Sequence, residues 1–111
     1  MDVSFPNARM RKLCNSQKEL RGKYGPRMAD LIARRLVELR AAITLADLRN
    51  LPGARCHELK QNLKGHLAVD LVHPNRLVFK PDHDPVPCLA GGGLDWDRVT
   101  AVMVIGIGDY H

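Results

Sequence analysis

At 111 residues the chain has room for one hydrophobic core, so residues 1–111 are expected to form a single domain. Cys14, Cys56 and Cys88 are an odd number without paired spacing, which argues against a disulfide framework and for reduced thiols. No apolar run approaches the roughly 18–20 residues of a spanning helix, and Asp2, Asn7, Arg9 and Arg11 stand where a signal peptide would be apolar, so a cytoplasmic location is expected. The net charge of +5 is uneven: residues 1–65 hold 14 of the 17 Lys and Arg but only half of the 12 acidic residues. Such asymmetry suits a basic face laid on a polyanion, because each neutralised phosphate releases counterions.

Met1 to Phe5 alternates apolar and polar residues before Pro6, which predicts a short strand. Met10, Leu13, Cys14, Gln17 and Leu20 follow helical spacing, predicting a first helix over residues 7–22 that stops at Gly22. Pro26 suits a helix first turn, and Met28, Leu31, Ile32, Leu36, Leu39 and Ile43 make the stripe of a long second helix, with Arg27, Arg34, Glu38 and Arg40 turned outward. Thr44 is placed to cap a short turn through Leu48. Beyond Pro52 and Gly53 the period becomes two: Leu67, Val69 and Leu71, then Leu77 and Phe79 after a Pro74–Asn75 turn, form a hairpin with Arg76 and Lys80 on one face. Residues 81–97, with three prolines and three consecutive glycines, predict a loop. Val99 to Ile107 is apolar and β-branched, which predicts a strand covered on both faces. Helices followed by strands give an α+β class, two N-terminal helices packed on one face of a twisted, mainly antiparallel sheet.

The chemistry-bearing residues are few. His57 and Lys60 lie three apart, Arg76 stands on the hairpin, and the chain closes on Asp109, Tyr110 and His111. Together they offer what metal-free RNA cleavage needs. A group titrating near neutrality, His57 or His111, takes the ribose 2′-hydroxyl proton. Arg76 and Lys60 meet the charge that gathers on the phosphate in the transition state. Tyr110 offers a ring for base stacking or for packing on the sheet, Asp109 a carboxylate to orient a histidine or cap the strand, and Arg55, Lys64 and Lys80 further positive charge as candidate RNA contacts. Cys56, His57, His73, His83 and Cys88 are suitable zinc ligands by type, but none has ligand-pair spacing, so no metal or other cofactor is expected.

The stretches Leu45-Ala46-Asp47-Leu48, Pro52 to Lys60, Lys64-Gly65 and Asp109-Tyr110-His111 resemble the HigB branch of the RelE/ParE toxin superfamily. Ser4-Phe5, Ala33 to Leu36 and His73 to Phe79 add to it, and Asp82 to Pro87 with Gly93 to Trp96 is similar to the plasmid-maintenance killer proteins. The resemblance implies a RelE-like microbial ribonuclease fold and ribosome-dependent mRNA cleavage without a metal. It implies inhibition by a HigA-like helix-turn-helix antitoxin. It carries the family's active-site histidine onto His57, its phosphate-binding lysine onto Lys60, its strand arginine onto Arg76, and its terminal acid, aromatic and imidazole onto Asp109, Tyr110 and His111. Arg55 and Lys64 would then meet ribosomal RNA. The chain departs from the pattern at Asn62 and Leu63, at Asn75, where a Trp is usual, and at Met103 and Gly106, where relatives often carry Arg and Glu. Two other readings stand beside this one: a noncatalytic ParE-like gyrase inhibitor, and a decayed toxin that only binds its antitoxin and serves in autorepression.

Overall fold

The computed structural model describes residues 1–110, so the terminal imidazole of His111 lies outside the described residues. Strand β1 (Asp2–Ser4) leads into α1 (Ala8–Cys14), α2 (Gln17–Tyr24) and α3 (Pro26–Ala41). A 3-10 turn (Leu45–Asn50) precedes β2 (His57–Glu58), and a second (Gln61–Leu63) precedes β3 (Leu67–Asp70) and β4 (Arg76–Pro81). A third (Trp96–Arg98) leads to β5 (Ala101–Gly108).

The single helix expected over residues 7–22 is two helices, because Asn15 and Ser16 offer the backbone an alternative to continuing. Asn7 caps α1 by accepting from the Met10 N–H at 2.8 Å. Ser16 caps α2 by accepting from the Glu19 N–H at 3.2 Å. Gly22 stays inside α2, and the stop comes at Gly25, whose φ of +83° favours glycine. Helix α3 begins at Pro26, as its sequence suggests, and buries Met28, Ala29, Ile32, Leu36 and Leu39. Ile43 lies past its end and is 80% exposed, so the stripe stops one turn early. In the next turn the Asp47 carboxylate accepts from the N–H groups of Ile43 (2.8 Å) and Thr44 (3.3 Å).

Five strands lie in the order β1-β5-β4-β3-β2, with β1 parallel to β5 and every other pair antiparallel. Leu67, Val69, Leu77, Phe79, Val102 and Val104 point to the helices and share one core with the apolar side of α3. The other sheet face is open. Strand β5 is therefore not covered on both sides along its first half as expected: Val102 and Val104 are buried toward the helices while Ala101 and Met103 are half-buried on the other side. Between Val78 and Phe79 the register skips a residue of β5, so that Val78 faces Gly106 while Phe79 faces Val104, leaving Ile105 as a bulge. The loop expected from residue 81 starts a residue late, since Pro81 still pairs with Val102. Trp96 anchors its far end: it is buried, its Nε1 donates to Glu58 at 3.2 Å, and Arg49 stacks 4.3 Å from its ring centroid. No helix among the described residues is long and apolar enough to cross a membrane.

One charged side chain sits inside this core. Arg35 is 5% exposed; its Nε donates to the Asp70 carbonyl and its Nη1 to Glu38, each at 2.8 Å. Glu38, expected on the outer face of the helix, is thus turned inward to meet it. Arg35→Ala strands a half-buried carboxylate and a carbonyl, and is expected to cost about 3 kcal/mol in urea unfolding. A loss below about 1 kcal/mol, the range of an exposed pair, would contradict this account.

Candidate active site on the open sheet face

Register places the site residues. His57 stands opposite Ala68, Ala68 opposite Val78, and Val78 opposite Gly106, giving one row across four strands on the open face. At a strand spacing near 4.8 Å the ends of this row are about 14 Å apart at the backbone. Ala68 and Val78 are fully buried although they lie outside the helix-side core, so the middle of the row lies beneath neighbouring side chains. Asp70, Arg76 and Gly108 form the next row, and Lys80 and Met103 extend the same face on the other side.

An open cleft of about 430 Å3 on this face is lined by Leu59, Lys60, Gln61, Asn62, Leu63, Arg76 and Tyr110. Lys60 comes to it because β2 ends after two residues and the chain turns sharply, with Gln61 at φ +58° and the Leu63 N–H donating back to the Lys60 carbonyl at 3.2 Å. Arg76 enters from β4 with only 17% of its side chain exposed, held by Asp70 (3.8 Å). The same carboxylate pairs with Arg55 at 3.4 Å, and the three residues line an adjoining polar pocket with His73 and Asn75.

His57 is oriented by its own turn. Arg55, in the left-handed region at φ +47°, turns its carbonyl to the imidazole, 2.6 Å from Nδ1. A carbonyl only accepts, so Nδ1 carries the proton and the neutral ring keeps the Nε2 lone pair.

Of the sequence-predicted residues, the structure brings Lys60, Arg76 and Tyr110 into one cleft and sets His57 on the same face. Asp109 is exposed just beyond β5, and Lys80 is exposed on the Arg76 side of β4. Lys64 is elsewhere: it lines a mainly apolar cleft with Leu67, Pro81, Val86, Cys88 and Leu94. Asp70 was missed as a site residue. Its mirror position to Arg76 across the predicted hairpin turn was the available signal.

No protein-family profile and no curated relative matches the chain. Solved structures do. The YoeB/ParE toxin from Agrobacterium tumefaciens superposes with a TM-score of 0.58 at 12% identity over 100% of both chains. The chain has the fold of these toxins. The YoeB-YefM complex from Staphylococcus aureus matches with a TM-score of 0.56 at 15% identity, over 100% of this chain and 97% of that one.

Among the described residues no three His, Cys, Asp or Glu side chains gather as a metal site would require. Desolvation pushes the Cys56 thiol up to about 12, with Glu58 adding to the shift and Arg49 opposing it, so the sulfur stays protonated at neutral pH. Burial likewise raises Cys14. With iodoacetamide at pH 8, Cys88, which is exposed, is expected to react first and singly, read by intact mass and peptide mapping. Faster labelling of Cys56 would contradict the buried-thiol geometry.

Proposed function

We propose that this chain is the toxin of a toxin-antitoxin pair, of the HigB kind within the RelE/ParE superfamily, acting as a single domain in the cytoplasm. In this reading it cuts mRNA on the ribosome without a metal and is silenced by a HigA-like helix-turn-helix antitoxin. The observation that carries it is the convergence of Lys60, Arg76 and Tyr110 in one cleft on the sheet face that also bears His57. The fold shared with YoeB/ParE toxins supports the toxin role, and one structure it resembles is a complex with a partner, YefM.

His57 Nε2 takes the proton of a ribose 2′-hydroxyl, whose oxygen attacks the adjacent phosphorus as the bond to the 5′-oxygen breaks, leaving a 2′,3′-cyclic phosphate. Arg76 and Lys60 bind the nonbridging oxygens as their charge grows. His111 delivers a proton to the departing 5′-oxygen, and Asp109 orients it. Arg55, Lys80 and, farther off, Lys64 meet flanking phosphates of the message or of ribosomal RNA.

Induced expression is expected to arrest growth and to yield mRNA ends within translated codons, mapped by primer extension. His57→Ala should reduce cleavage roughly 100-fold or more, the usual scale of a lost general base. Intact mRNA with impaired DNA supercoiling would replace this reading with gyrase inhibition. Intact mRNA with normal growth would leave an antitoxin-binding repressor.

A further inference from the structure

Gly106 has no side chain on a face where its row neighbours do, and the vacant space is occupied. Tyr110, four residues later, folds back over its own strand. A side-chain carbon at Gly106 would overlap the Tyr110 hydroxyl and come within 3.3 Å of its Cζ and 3.9 Å of its Cε2. At Gly108 the nearest ring atom would be Cε2 at 3.7 Å, an ordinary contact. The ring therefore lies along β5 from Gly108 to Gly106, with its hydroxyl end down on the Gly106 backbone. Gly106 is buried and Tyr110 half-buried.

We propose that Gly106 is a positioning residue: its missing side chain is the seat that fixes the Tyr110 ring as a wall of the Lys60–Arg76 cleft, where a nucleobase of bound RNA stacks. The proposal rests on the RNA-cutting reading of that cleft. Because the hydroxyl is turned to the strand, the ring's contribution is its flat surface and not a proton. Stacking on such a ring tolerates any base and needs the ring held still, since a misplacement near 1 Å costs up to roughly 100-fold in rate. The absence of Arg or Glu at this position is then the condition for the seat.

Gly106→Ala collides with the free end of a side chain, so the ring swings away while the sheet persists. Three measurements test the seat. In the wild-type protein, nuclear Overhauser contacts join the Tyr110 ring to the Gly106 α-protons; their absence overturns the proposal. Gly106→Ala is expected to lower ribosome-dependent cleavage as far as Tyr110→Ala does, and the double variant no further. Additive losses, or full activity in Gly106→Ala while Tyr110→Ala is impaired, overturn it. Gly22→Ala, in α2 and with open space around the added carbon, is expected to stay within about twofold of wild type; a loss matching that of Gly106→Ala overturns it. Thermal unfolding guards against misfolding, because in the Tyr110→Ala background the added methyl meets no ring and is expected to leave the melting temperature unchanged. If the wild-type protein cuts no RNA, the nuclease reading fails, while the ring contacts and the unfolding comparison still decide the seat.

Discussion

A buried guanidinium joins the two halves of the molecule. Burying Arg35 is costly unless its donors are met, and they are met by Glu38 of its own helix and the Asp70 carbonyl at the end of β3. Its other nitrogen, Nη2, faces Gly53, where a side-chain carbon would stand at an ordinary 3.6 Å and glycine is favoured by the φ of +77°. Both chain segments that deliver the site thus lie beside this one side chain. From Asp70 the carboxylate reaches Arg76 and Arg55; from Gly53 the turn runs through Arg55 to His57. Helix packing and site geometry are set together.

The electrostatics of the open face follow from that arrangement. One carboxylate shared by two arginines leaves a net positive charge and limits the rotamer freedom of Arg76. In the proposed function the strongly basic first part of the chain would supply the long-range attraction for RNA, leaving the short-range geometry to a few held groups.

Period and punctuation made most of the fold readable. Alternation identified β3 and β4 and put Arg76 and Lys80 on one face, and the apolar stripe identified α3. Tertiary demands hid the rest. Arg35 reads as one more surface charge beside Arg34, and nothing local says that a carbonyl from β3 awaits it. Asn15 and Ser16 occur inside many helices; here their capping capacity won. His57, Lys60, Arg76 and Tyr110 stood out in the sequence because few residue types do acid–base or phosphate-binding work, and register and the β2 turn bring them to one face, whereas Gly106 reads as a lost polar group when its emptiness is what the ring fills.

The bulge at Ile105 decides which way the end of the chain looks. Unbroken alternation from Val102 and Val104 would send Gly106 toward the helices and bring Ile105 and Ile107 outward; the extra residue reverses the phase, so Ile107 packs inward and Gly106 emerges beneath Tyr110. Strand length, more than strand composition, therefore governs the tail's side. A lineage of such proteins is free to exchange one branched aliphatic residue for another along β5, but any change in the number of residues between Val104 and Gly106 redirects everything that follows.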